Sequence, residues 1–146
     1  MLPIERTIVP HAISEQVLAT VTGASSVADA AELMTERRIG AVLVVDRGKL
    51  SGIFTERDAL TRVMAAGRDP GKTQIKKVMT EGPVTIRPDD TVADALALMN
   101  SGHFRHLPVQ DGDTLLGIVS QRDLYRSLKE QMEADIILLA ESLIQG

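Results

Sequence analysis

Apolar residues fall in two rhythms along this chain, and the same succession of rhythms occurs twice. Ala19 to Thr22 is a short β-like run that ends at Gly23. Val27, Ala30, Ala31, Leu33 and Met34 then recur near helical spacing behind a capping serine, Ser25 or Ser26, and predict a helix ending around Arg37-Arg38. Ala41 to Val45 is an unbroken apolar strand, and Asp46 to Lys49 turns it into a second strand, Leu50 to Phe54. Thr55 opens a further helix, which stops near the turn-rich stretch Gly67 to Gly71. The second round predicts a short helix over Ile75 to Met79, a strand over Val84 to Ile86 and a helix over Val92 to Asn100 behind Thr91. A hairpin of Arg105 to Gln110 and Leu115 to Val119 follows, turning at Asp111-Gly112-Asp113. Ahead of both rounds, Ile13 to Leu18 predicts one short helix. Residues 1–12 hold Pro3 and Pro10, show no period, and read as a loose arm.

The two rounds share residues as well as rhythm. Gly52-Ile53-Phe54-Thr55-Glu56-Arg57-Asp58 and Gly117-Ile118-Val119-Ser120-Gln121-Arg122-Asp123 lie 65 residues apart and both fit Gly-apolar-apolar-Ser/Thr-x-Arg-Asp. Aligning Ser26–Asp58 with Thr91–Asp123 gives 13 identities in 33 positions without a gap. A register kept that long marks a structural repeat. Each copy reads as β-α-β-β-α.

The last helix outruns its repeat. Gln121 to Gln145 contains no proline or glycine, and Leu128, Met132, Ile136, Leu139 and Leu143 recur every three or four residues. Ile137, Leu138 and Ile144 widen that face. So wide an apolar face is rarely left wet, so self-association is expected, packing on the chain's own core being the alternative.

Candidate chemistry gathers at the strand ends. Thr55 and Ser120 suit helix N-caps, with Asp58 and Asp123 three residues on in the first turn. Free N–H groups, a hydroxyl and an arginine, Arg57 or Arg122, form a natural anion site, and an adjacent aspartate can hold vicinal hydroxyls. A plain capping box with solvated side chains explains one such copy equally well; two in equivalent positions favour a site.

Composition removes other classes. A net charge of −4 with interspersed signs argues against a nucleic-acid partner, and three aromatics leave no base-stacking surface. With no cysteine, disulfides, thiolate metal sites and thiol nucleophiles are excluded. No apolar run approaches the ~20 residues of a membrane span, and the N-terminus lacks a signal-peptide core, so a cytoplasmic, membrane-free location is expected. His103 and His106 lack the further ligands of a zinc site. No catalytic triad or glycine-rich phosphate loop is visible, so no enzyme and no required cofactor are expected.

The paired repeats, the run Asp-x-Thr-Val-Ala-Asp-Ala-x-x-x-Met (Asp89 to Met99), Arg105-His106-Leu107-Pro108-Val109 and the two Gly-Ile-x-Ser/Thr-x-Arg-Asp elements together resemble a tandem cystathionine-β-synthase (CBS) domain pair, in particular the small stand-alone bacterial ones. That resemblance implies an α+β fold of two pseudo-symmetric repeats packed through their sheets, extended by the C-terminal helix. It divides the chain into an arm (1–12), a first repeat (13–68), a linker (69–74), a second repeat (75–130) and a helical extension (131–146). It further implies a non-catalytic regulatory, energy-sensing module whose two clefts bind AMP, ADP, ATP, NAD(H) or S-adenosylmethionine. The other possibility is a structural dimerisation module with vestigial clefts. A homodimer and an effector protein are the implied partners. The implied ligand residues are Thr55, Arg57 and Asp58 in the first repeat and Ser120, Arg122 and Asp123 in the second. Arg105, His106 and the following Pro108 are implied near phosphate. Thr20, Val21, Thr85 and Ile86 are implied at the adenine edge. Arg105-His106 align with Gly40-Ala41, so the first repeat lacks the basic pair, although Arg37 and Arg38 lie nearby; its cleft is expected to be weaker or empty.

Overall fold

The computed structural model describes residues 5–145; the first four residues of the expected arm, Pro3 among them, and the last residue of the extension lie outside them. The first repeat comprises β1 (Thr20–Val21), α1 (Val27–Arg37), β2 (Ala41–Asp46), β3 (Lys49–Thr55) and α2 (Glu56–Asp58), which continues as a wider-wound turn over Ala59–Met64. The second comprises β4 (Thr80–Glu81), α3 (Val92–Gly102), β5 (His106–Asp111), β6 (Thr114–Ser120) and α4 (Gln121–Gln145). The fold is α+β, two β-α-β-β repeats and a long C-terminal helix. The equivalence extends to detail. Val21 pairs in parallel with Val44, and Ile86 with Val109, each 65 residues on. Both hairpins bulge at the same place, after Val44 and after Val109. In the second repeat the expected strand over Val84 to Ile86 shrinks to that single bridge, held by Ile86 N–H to Pro108 O and Gln110 N–H to Ile86 O, both 2.9 Å.

The repeats exchange the segments that precede them. Ile75, Val78 and Met79 join the core of the first repeat, with Val27, Ala30, Val42, Val44 and Phe54. β4 then adds a fourth strand beside β3, giving the order β1-β2-β3-β4. Reciprocally, Ile8, Ala12 and Ile13 join the core of the second repeat, with Ile86, Ala95, Met99, Leu107 and Leu124. The main chain follows: Ile8 N–H donates to Asp90 O at 2.9 Å, and Ile75 N–H to Ser25 O at 2.8 Å. The expectation of a loose arm is therefore corrected for its described part, since Ile8 is fully buried. Its apolar residues are too sparse to show a period, but they fill another repeat's core. The helix expected over Ile13 to Leu18 does not form; a helical turn at Ile8–Ala12 takes its place and an extended run leads to β1.

Between the repeats lies a third apolar layer. Ala41, Leu43 and Ile53 from one sheet meet Leu115 and Ile118 from the other, with Leu18, Val45 and Leu50 beside them. This sheet-to-sheet contact leaves a cleft open at each end.

Beyond the fold, α4 projects. Leu124 and Ser127 are buried against the repeat, but every described residue after Gln131 is exposed, including Met132, Ile136, Leu139 and Leu143. At about 1.5 Å per residue this outer half extends about 20 Å. Packing on the chain's own core, the alternative for this face, is not what the helix does.

Candidate functional site

Both strand-to-helix junctions are capping boxes. Ser120 N–H donates to Asp123 Oδ2 at 2.9 Å, and Asp123 N–H returns to Ser120 Oγ at 3.1 Å. Thr55 N–H donates to Asp58 Oδ2 at 3.0 Å, and Asp58 N–H returns to Thr55 Oγ1 at 3.2 Å. The same bonds leave the two carboxylates in different states. Asp58 is also bonded by the Thr55 hydroxyl at 3.2 Å and faced by Arg62 at 3.5 Å, its side chain only 10 % exposed. Asp123 keeps 32 % of its side chain exposed, and among the described residues its Oδ1 meets only Arg126, at 3.7 Å. One aspartate is absorbed into its repeat; the other presents an oxygen to solvent.

Each junction opens into a cleft walled by the opposite repeat. The larger, about 1180 Å³, sets Ser120, Arg122 and Asp123 against Val17, Leu18 and Ala19, and against Arg37 and Arg38 at the end of α1. The smaller, about 500 Å³, sets Thr55, Arg57 and Asp58 against Pro83 and Val84, and against His103 and Phe104 at the end of α3. The lower wall in each case follows from the exchange of preceding segments.

Arg105 and His106 line both clefts, as do Gly40 and Glu56. The expectation that the first repeat's cleft lacks the basic pair is thus corrected: Arg105 and His106, at the start of β5, stand between the two clefts with Gly40 and Glu56. Gly40 makes this possible. A Cβ there would stand 3.3 Å from His106 Nε2 and 3.0 Å from Glu56 Oε1, so the imidazole lies against bare backbone. Burial holds the His106 pKa below the usual imidazole value; Glu56 and Asp123 pull it upward and Arg105 adds to the depression.

Five of the expected ligand residues stand elsewhere. Thr20, Val21, Thr85 and Ile86 line neither cleft, and Ile86 is buried in the second repeat's core. The residues one to three positions earlier, Val17 to Ala19 and Pro83-Val84, occupy the walls instead. Pro108 is buried too and serves the sheet, its carbonyl accepting from Ile86 N–H. Residues that the motifs do not mark include Gln16 and Tyr125 on the larger cleft and Phe104 on the smaller. Only the 65-residue offset gives a signal for Gln16, by aligning it with Glu81 of β4 at the sheet edge.

Among the described residues no group of three or more His, Asp or Glu side chains is placed to hold a metal ion. Among them, too, no helix is long and apolar enough to cross a membrane.

Comparison with known proteins bears on the same residues. A family model described as CBS domain matches residues 12–65 and 75–130. The CBS domain-containing protein YhcV of Bacillus subtilis is 39 % identical over 107 residues, covering 73 % of this chain and 76 % of that protein. Longer relatives match as well: the chain spans 24 % of the length of the Arabidopsis thaliana protein CBSCBSPB2, at 36 % identity over 132 residues. A solved structure described as a putative signal-transduction protein with CBS domains, from Burkholderia ambifaria, superposes with a TM-score of 0.75 at 38 % identity, covering 78 % of this chain and 84 % of that one. The CBS domain pair of protein MJ0100, solved in complex with 5-methylthioadenosine and S-adenosyl-L-methionine, superposes with a TM-score of 0.71 at 26 % identity, covering 80 % and 91 %.

Proposed function

The chain belongs to the CBS-domain family, whose pairs are regulatory modules, and we propose that it is a non-catalytic sensor that takes an adenosine-containing ligand in the larger cleft. The observation that carries this reading is the part-exposed Asp123 carboxylate, held by Ser120 N–H and lining the same cleft as Val17, Leu18 and Ala19. An acceptor-only carboxylate of this kind suits the vicinal hydroxyls of a ribose. Val17, Leu18, Ile39 and Tyr125 offer apolar surface to a flat base. The MJ0100 pair, which holds adenosine-containing molecules, supports the same ligand class.

Regulation follows from where the cleft lies. One wall belongs to the first repeat and the floor to the second, so a ligand touching both favours one packing angle over others. The apolar outer half of α4 supports assembly into a homodimer, through which that angle would reach a second subunit or an effector protein.

Native mass spectrometry of freshly purified protein tests both parts together. The expected spectrum shows twice the chain mass plus an adenine nucleotide. A bare monomer that also fails to take up added AMP, ADP, ATP or S-adenosylmethionine would overturn the reading.

A further inference from the structure

The outer half of α4 carries two apolar faces. At about 100° per residue, Met132, Ile136, Leu139 and Leu143 fall within about 60° of one another and form the stripe that a second copy would cover. Ile137 and Ile144 do not widen that stripe. Seven residues apart, they stack about 120° round the helix from its centre, and each is more than half exposed. A two-helix seam on the first stripe leaves them facing water.

The charge around this second face is all of one sign. Glu133 lies one turn before Ile137, Glu141 one turn after it and Glu130 two turns before it, so three carboxylates share the face with the two isoleucines. From Glu130 to Gln145 the helix bears one further acid, Asp135, at the edge of the first stripe, and no base. Glu130 meets Arg6 at 3.4 Å and Glu133 meets Lys129 at 3.8 Å, both glutamates at least half exposed. Exposed pairs of this kind contribute little and exchange readily for others. Glu141 makes no ion pair among the described residues. A second copy laid on this face would set glutamate against glutamate, which repels. An anionic membrane surface is repelled in the same way. A helix with an apolar stripe and lysine or arginine along both edges matches the face in shape and in charge.

We propose that the face of α4 built from Ile137 and Ile144 and edged by Glu130, Glu133 and Glu141 is the docking site of the effector, and that the effector presents a basic amphipathic helix to it. The proposal rests on the sensor reading and names the chemistry of its partner. α4 follows directly on Ser120 and carries Asp123 in its first turn, at the larger cleft, so one continuous helix joins the bound ligand to the docked partner.

A synthetic peptide of about 18 residues, leucine-striped and lysine-flanked on a helical period, tests this by calorimetric titration against the full chain. The same peptide with glutamate for lysine and a scrambled lysine peptide are titrated beside it. The lysine peptide should bind at least about tenfold tighter than either control, and more weakly in high salt. Ile137→Ser with Ile144→Ser should weaken it at least about tenfold, while melting temperature, sedimentation and AMP affinity hold. Glu133→Lys with Glu141→Lys should turn the preference toward the glutamate peptide. Equal affinity for the three peptides, or wild-type affinity in the double serine variant, would overturn the docking site and leave the sensor reading standing. So would a wild type larger than a dimer that the double serine variant reduces to a dimer, because another copy would then cover the face. A wild type that binds the lysine peptide selectively but takes no adenine nucleotide would keep the docking face and overturn the sensor reading.

Discussion

The Gln16 carboxamide makes to Ile118 the two hydrogen bonds that a neighbouring strand would make: Nε2 donates to Ile118 O at 3.0 Å, and Oε1 accepts from Ile118 N–H at 3.0 Å. In the first repeat the equivalent place beside Gly52 and Ile53 is filled by main chain, Glu81 and Thr80 of β4. One repeat closes its sheet edge with backbone and the other with a side chain. This difference separates two glycines of the same motif. A Cβ on Gly52 would stand 2.8 Å from the Thr80 carbonyl, which is fixed in a ladder, whereas one on Gly117 would meet the far end of Gln16. Gly52→Ala should therefore cost about 1–3 kcal/mol, as overpacking does. Gly117→Ala should cost about 1 kcal/mol, the net worth of the displaced amide bonds. Urea unfolding of both variants checks the order, and equal losses would show that the Gln16 contact does not replace a strand.

Ser127 is buried in α4 with its hydroxyl unpartnered. A buried polar atom without a hydrogen bond costs stability, so Ser127→Ala should raise it by about 1 kcal/mol. Thermal melts decide this; a loss on substitution would show that the hydroxyl has a partner in solution.

His106 sets a pH dependence lower than an unperturbed imidazole implies. Its pKa in the folded protein is depressed below 6.5, chiefly by burial. Protonation therefore favours the unfolded chain: the contribution is intact above about pH 6.5 and is lost as pH falls through the folded value. Ligand-free stability should decline over that range, and His106→Gln should flatten the decline. A bound phosphate reverses the preference, because it favours the imidazolium. AMP affinity should rise as pH falls, while adenosine affinity should not. Identical pH profiles for the two ligands would show that His106 acts only in packing.

The outer half of α4 is testable by removal. A lone helix of this length is marginal in water, and residues 132–145 are all exposed. Truncation after Gln131 should shift the protein toward monomer in analytical ultracentrifugation, with its melting temperature little changed. A truncated chain that stays dimeric would assign assembly to another surface.

Local pattern reveals elements and caps but not exchange between repeats. Ser26, Thr55, Thr91 and Ser120 cap the helices that their sequences announce, because a cap and its bonded N–H groups are three residues apart. Both hairpins are legible for the same reason. Ile8 and Ile75 give no such signal, because each fills the core of a repeat it does not adjoin in the expected order. From that exchange come the shift of the cleft walls away from Thr20, Val21, Thr85 and Ile86, and the shared position of Arg105 and His106. The unequal exposure of Asp58 and Asp123 gives no sequence signal either, since it depends on burial in the fold and not on the motif.

That inequality gives the most direct test of the adenosine site. Asp123 keeps 32 % of its side chain exposed in the larger cleft, with Arg126 at 3.7 Å, while Asp58 is 10 % exposed, takes both the amide and the hydroxyl of Thr55 and is faced by Arg62 at 3.5 Å. Calorimetric titration of Asp123→Ala and Asp58→Ala with AMP, beside thermal melts, separates ligand binding from structure. Asp123→Ala should weaken AMP by about 1.5–3 kcal/mol, roughly ten- to a hundredfold, with little change in melting temperature. Asp58→Ala should weaken AMP less and lower the melting temperature more. Equal AMP affinities in wild type and Asp123→Ala would contradict the assignment of the larger cleft as the adenosine site.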